Sequence, residues 1–235
     1  ELTYPSTNGV DTIRAYLCLP RTKPTGVVQL SHGMCEYFER YDWFYEFLCD
    51  NGLVVCGNDH LGHGNSAKTP ADLGFFAKKD GWKCLPEDVF TLTRLVKERY
   101  PDLPVFLFGH SMGSFIARSY AEKYGSELAG AIFCGTSGAN PAAGAGIKLA
   151  GLIAKLSGSK SRSQFIDRIA FGSYNKKYEN VRTKFDWLSR DAAEVDKYIA
   201  DPLCGFLFTA VGYRDMFTIL NNVSGKSWYQ NVPST

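Results

Sequence analysis

Four short apolar runs, separated by segments of helical periodicity, constrain this chain more than any other feature. They are Val27-Val28-Gln29-Leu30, Leu53-Val54-Val55-Cys56, Val105-Phe106-Leu107-Phe108 and Ala131-Ile132-Phe133-Cys134. A run of this length without regular polar alternation is what a strand covered on both faces requires. Between the runs, Tyr41, Phe44, Tyr45 and Leu48 fall on one helical face, with Asn51-Gly52 as a C-terminal stop. Leu85, Val89, Leu92 and Val96 make a second stripe, with Pro86 in its first turn and Pro101 beyond its end. Met112, Phe115, Ile116, Ser119 and Tyr120 make a third, closed by Gly125. Strands alternating with helices imply an α/β fold: a mostly parallel sheet flanked by helices. Residues 10–19 alternate loosely (Val10, Ile13, Ala15, Leu17, Leu19) and add an antiparallel strand near a sheet edge.

The alternation stops at about Gly138. Residues 139–228 carry helical stripes such as Leu149, Leu152, Ile153 and Leu156, joined by polar and glycine-rich segments. The expected organisation is a core over 1–138, a helical cap over 139–228 and the start of a return to the core over 229–235. No internal repeat interrupts it.

With 45% hydrophobic and 21% charged residues the chain has a globular profile and enough length for one substantial core. A net charge of +2 is too small to argue for nucleic acid as a partner. The seven cysteines are irregularly spaced and include no CxxC, which disfavours a disulfide framework or a zinc site. Free thiols in a reducing, cytoplasmic compartment are the simpler reading. The chain opens on Glu1-Leu2-Thr3 instead of Met, which points to a trimmed or processed start, and shows no signal-like segment. Its longest uncharged stretch, from Leu128 to Ile147, is broken by Pro141 and five glycines and does not read as a membrane span.

Chemistry centres on Gly109-His110-Ser111-Met112-Gly113. A GxSxG match is weak alone, but here an apolar run leads in and a helix follows, the strand–turn–helix of a nucleophile elbow. Ser31-His32-Gly33-Met34 follows another strand. Acyl transfer needs backbone N–H donors aimed at the developing oxyanion. In this architecture Met112 supplies one and Met34 the other, with His32 shaping the loop. Taken alone, that segment reads better as an ordinary strand-to-helix loop; only beside the elbow is the oxyanion loop the preferred reading. The segment Asp59-His60-Leu61-Gly62-His63-Gly64-Asn65-Ser66 holds two histidines and an aspartate, but its spacing matches no compact metal-ligand pattern. A hydrogen-bonded glycine turn fits it better.

These motifs, in the order His32-Gly33-Met34-Cys35-Glu36, then the loop 59–66, then the elbow 109–113, resemble the monoacylglycerol lipase and lysophospholipase branch of the α/β-hydrolase superfamily. Residues 185–190 and 201–206 resemble the lid of bacterial members of that branch. The resemblance implies an α/β-hydrolase fold with a helical lid and a serine hydrolase for lipid-like carboxylic esters that needs no cofactor and no metal. It implies Ser111 as nucleophile and the N–H groups of Met34 and Met112 as the oxyanion hole, supported by His32, Gly33, Gly109, His110 and Gly113. The lid would shape an acyl-chain pocket.

One departure is decisive. α/β-Hydrolases place the triad in the chain order Ser, acid, His, whereas His32, His60, His63 and His110 all precede Ser111. The C-terminal strands that carry the acid and base are therefore expected outside this chain, on a missing segment or a second chain. Substitution by His60 or His63 is the lesser alternative. Losing the histidine of such a triad costs on the order of a millionfold in turnover, so the isolated chain is expected to be nearly inactive, and its open sheet edge to favour self-association. The rival readings are a non-catalytic protein binding an apolar ligand, and another hydrolytic chemistry such as peptide or C–C bond cleavage. Nine basic and three acidic residues between Lys155 and Arg190 make either a solvated face or a contact for anionic lipid.

Overall fold

A computed structural model describes residues 1–233. Six strands form one sheet: β1 (Leu2–Pro5), β2 (Thr12–Cys18), β3 (Gly26–Ser31), β4 (Leu53–Asn58), β5 (Val105–His110) and β6 (Gly130–Cys134). Their order is β1-β2-β4-β3-β5-β6. The pairs β1–β2 and β2–β4 are antiparallel, and β4, β3, β5 and β6 run parallel. All four apolar runs are strands, and the alternating segment is β2. Strand β1 carries no comparable signal, being four residues long and closed by Pro5, which an edge strand tolerates.

Alternate residues divide the core. Val27, Val54, Cys56, Val105 and Leu107 face α2 (Gly81–Arg99) and α3 (Met112–Tyr124), while Val28, Leu30 and Val55 face α1 (Asp42–Asp50). Strand β3 is buried at every residue. The expectation of burial on both faces fails for β5 and β6. Phe106 and Phe108 are only half-buried, and Ile132 is 54% exposed. On their side of the sheet, α1 packs over β4 and β2 and reaches β5 through Phe44 against Phe108. Helix α2 starts a turn earlier than Pro86 suggests, after Asp80 in the left-handed region, so the proline lies inside it.

After residue 138 come the helices α4 (Ala143–Ser157), α5 (Gln164–Phe171), α6 (Ala192–Ala200), α7 (Ala210–Asn222) and α8 (Lys226–Asn231). Ser163, Asp191 and Thr209 cap the starts of α5, α6 and α7 by accepting first-turn N–H bonds. Helix α7 is bound into the main core, since Tyr213, Met216 and Ile219 join the same apolar cluster as α2 and α3. Helix α8 docks on α3, with Trp228 Nε1–H donating to Arg118 O (2.6 Å) and its ring stacked on the Arg118 guanidinium. Of the expected return segment 229–235, residues 229–231 continue α8, and 234–235 lie outside the described residues. No helix among the described residues is long and apolar enough to cross a membrane.

Candidate active site

Strands β3 and β5 are neighbours in register, with Ser31 opposite Gly109. The loop leaving β3 and the turn leaving β5 therefore emerge side by side at the C-terminal edge of the sheet, where open α/β sheets place their ligands.

Ser111 occupies the joint between β5 and α3 at φ +53° and ψ −119°. A non-glycine residue is strained there, a cost of order 1–3 kcal/mol that the surroundings must hold in place. Its N–H donates to Cys134 O (2.9 Å), tying the turn to β6. The flanking glycines are required by contact. A Cβ on Gly109 would lie 2.5 Å from Gly113 O and 2.8 Å from the Ala117 Cβ, so only glycine lets α3 fold back on β5. A Cβ on Gly113 would lie 2.5 Å from His32 O and closer still to Ser31 O, so only glycine lets the start of α3 meet the end of β3. Met112 opens α3, where N–H groups have no intrahelical acceptor.

The loop after β3 is held from both sides. The His32 ring makes two bonds: its Nδ1 contacts Gly33 O (2.8 Å), and its Nε2 accepts the His60 N–H (3.0 Å). The first bond therefore uses an Nδ1–H, and the ring is the neutral Nδ1 tautomer. Across a trans peptide C=O and N–H point in opposite directions, and no peptide here is cis. With Gly33 O turned to His32, the Met34 N–H is directed away from that ring, and it has no acceptor among the described residues. Gly33 itself lies against the serine, since a Cβ on it would come within 3.3 Å of Ser111 Cβ.

Behind this loop lie His60 and His63. Burial pushes His60 down to about 3 and His63 to about 4, and carries His32 well below its ordinary value. His60 Nε2 pairs with Ser31 Oγ (3.0 Å) and the His63 Nδ1–H donates to Leu61 O (2.9 Å). Asp59 Oδ1 accepts from Phe38 N–H and its Oδ2 from Asn65 N–H, bracing the turn at 59–66. Burial nevertheless raises its pKa to about 6. The described residues contain no group of His, Cys, Asp and Glu suited to a metal ion.

The structure thus brings Ser111, Met112, His110, Gly109, Gly113, His32, Gly33 and Met34 to one place, and sets His60 and His63 behind the loop with other partners. It adds Glu36, which closes the quoted segment 32–36 but was given no role there, and Tyr41, which stood only in a helical stripe. The Tyr41 hydroxyl sits 2.8 Å from His110 Nδ1 and 2.6 Å from Glu36 Oε1. Two surface concavities of about 390 and 500 Å³ are lined by residues after α4, among them Arg168 and Lys184 in one and Arg182 and Trp187 in the other. Neither is lined by Ser111.

The strand order, the parallel centre and a strained serine between β5 and α3 are those of an α/β-hydrolase. The chain belongs to the Hydrolase_4 family (serine aminopeptidase, S33), whose model matches residues 22–233. It is 31% identical over 196 residues to the monoglyceride lipase of Homo sapiens, covering 80% of this chain and 56% of that one. It is 30% identical over 185 residues to that of Rattus norvegicus, covering 78% and 54%. A thermostable carboxyl esterase from Bacillus coagulans, solved with glycerol, superimposes with a TM-score of 0.91 at 33% identity, covering 99% of this chain and 75% of that one. The chain spans about half the length of these two curated relatives.

Proposed function

We propose that this chain is the nucleophile-bearing part of a carboxylic-ester hydrolase for monoacylglycerol- or lysophospholipid-like substrates, with Ser111 as nucleophile. The observation that carries the reading is Ser111 held at positive φ between a strand and a helix, with the Gly33–Met34 loop packed against it. Ser111 Oγ attacks the ester carbonyl while its proton passes to a histidine, and the Met34 and Met112 N–H groups receive the oxyanion. The bond to the alcohol breaks as that histidine returns the proton to the leaving oxygen. Water then attacks the acyl-enzyme and releases the acid.

None of the four histidines in this chain is hydrogen-bonded to Ser111 Oγ; each has other partners. The base and its orienting acid therefore belong outside this chain, on further residues of the protein or on a second chain that also extends the sheet beyond β6. The cap carries Leu152, Leu156, Phe165 and Ile169 exposed beside its basic residues, which supports peripheral contact with anionic lipid. The seven free thiols support a reducing, cytoplasmic setting.

Where no further residues or second chain supply a base to Ser111, the second reading is a non-catalytic protein that binds an apolar ligand. Fluorophosphonate labelling of the complete protein, with turnover of monoacylglycerol, lysophospholipid and aminopeptidase substrates, separates the readings. Labelling at Ser111 and lipid-ester turnover, both lost in Ser111→Ala, are expected. Turnover surviving Ser111→Ala would overturn the assignment.

A further inference from the structure

Glu36 is a carboxylate enclosed next to the reacting serine, and no step above uses it. It stands three residues after Gly33, and its side chain is only 12% exposed. Its Oε1 accepts the Gly33 N–H (2.6 Å) and the Tyr41 hydroxyl (2.6 Å), and its Oε2 faces Arg40 Nη1 (3.4 Å). The Tyr41 oxygen in turn lies 2.8 Å from His110 Nδ1, which is itself 3.4 Å from Glu36 Oε1. Tyr41 has one proton, given to the carboxylate at the shorter distance, so His110 Nδ1–H donates to Tyr41. The result is a directional chain from His110 through Tyr41 to the Glu36 carboxylate, which also accepts the Gly33 N–H. It joins the residue before Ser111 to the loop that carries Met34.

Burial works to raise the Glu36 pKa, but its contacts with His110 and the Tyr41 hydroxyl outweigh it and hold the group at about 2. The group is an anion wherever the enzyme works, and hydrogen bonds to an anion are roughly twice as strong as neutral ones. Gly33 is thereby gripped at both ends, its C=O by His32 and its N–H by Glu36. The two peptide planes flanking Gly33 set its φ and ψ, and those set the direction of the Met34 N–H.

Resting on the reading of Ser111 as an esterase nucleophile, we propose that Glu36 is a positioning residue. Its carboxylate locks the oxyanion loop to the nucleophile elbow through Gly33 on one side and Tyr41–His110 on the other. Such a residue supports the transition state more than the bound substrate, so its loss lowers kcat and leaves KM in place.

The test uses the complete protein and its Glu36→Ala, Glu36→Gln and Tyr41→Phe variants, each assayed on p-nitrophenyl butyrate. Inhibition by an alkyl trifluoromethyl ketone, whose tetrahedral oxyanion occupies the hole, supplies a readout that a general packing defect does not move selectively. Glu36→Ala is expected to lower kcat about 100-fold with KM within about twofold, and to weaken the ketone by a similar factor. Glu36→Gln keeps an acceptor for the Gly33 N–H without the charge, and about tenfold is expected. Tyr41→Phe removes the shorter bridge to His110 and leaves the direct 3.4 Å contact of His110 with Glu36, and a smaller loss of kcat is expected. If Glu36→Ala fails to fold, the isosteric Glu36→Gln decides. A folded Glu36→Gln with wild-type kcat and ketone affinity overturns the proposal, as does a loss confined to KM. Both outcomes presuppose a wild type that labels at Ser111 and turns over. A wild type that does neither defeats the esterase reading and this proposal with it.

Discussion

Gly113→Ala tests the geometry of the site most directly. The added Cβ would sit 2.5 Å from His32 O and nearer still to Ser31 O, where ordinary contact begins near 3.4 Å. The start of α3 must therefore retreat from the end of β3 by at least 0.9 Å (3.4 − 2.5). Both obstacles are backbone carbonyls, one of them the last residue of the fully buried β3, so no side chain can rotate out of the way. Overpacking of this kind costs about 3 kcal/mol, the upper end of the usual range. For a protein of this size that lowers Tm by roughly 6–12 °C. The same shift moves Ser111 relative to Gly33 and Met34, and a displacement of about 1 Å costs about a hundredfold in rate. The control is Gly144→Ala in α4, where a Cβ meets nothing within 4 Å and alanine should stabilise by about 0.5–1 kcal/mol. Thermal unfolding and the rate of fluorophosphonate labelling are measured for both. Gly113→Ala melting with the wild type and labelling at the same rate would refute the close approach of α3 to β3 and the site built on it.

The histidines behind the loop make an acid liability. Burial holds His63 at about 4 against an ordinary 6.5, so between those values the unfolded chain takes up a proton that the folded chain refuses. Its contribution is intact above pH 6.5 and is lost as pH falls towards 4. His63→Phe, packed among Phe76, Phe206 and Phe208, should reduce the slope of stability over that window by up to about 1.4 kcal/mol per pH unit; urea unfolding at pH 7 and pH 5 measures it, and an unchanged slope contradicts it. On α5, Phe165→Ser with Ile169→Ser should weaken sedimentation with phosphatidylglycerol vesicles and lower turnover of aggregated monoacylglycerol, while turnover of a soluble butyrate ester stays within about twofold. Equal loss on both substrates would place these residues in the fold and not at a lipid surface.

Local chemistry explains what was readable in advance. The parallel strands show as uninterrupted apolar runs because the centre of a covered sheet accepts no polar alternation, and β3 is buried throughout. The turn at Ser111 shows because its strain and the close approaches at Gly109 and Gly113 each demand a particular residue type at a particular spacing. The partial cover of β5 and β6 does not show, since Phe106, Phe108 and Ile132 are as apolar as fully buried residues and exposure depends on which helix lies above them. Nor does the place of α7, whose stripe looks like that of the other helices after residue 138 although it is bound to α2 and α3.

Glu36, Tyr41 and His110 mark the same division. In the sequence they are the last residue of the segment 32–36, one member of a helical stripe and the variable position of a GxSxG motif, with nothing to show that their side chains meet. They meet because the register of β3 on β5 sets Ser31 opposite Gly109, so that the two following turns leave the sheet together. By itself the sequence determined the alternation of elements and the serine turn, since strand burial, helix periodicity and glycine contacts act over a few residues. The tertiary structure alone decided which turns became neighbours and which charge lies between them, because strand order and register bring together residues that no local spacing relates.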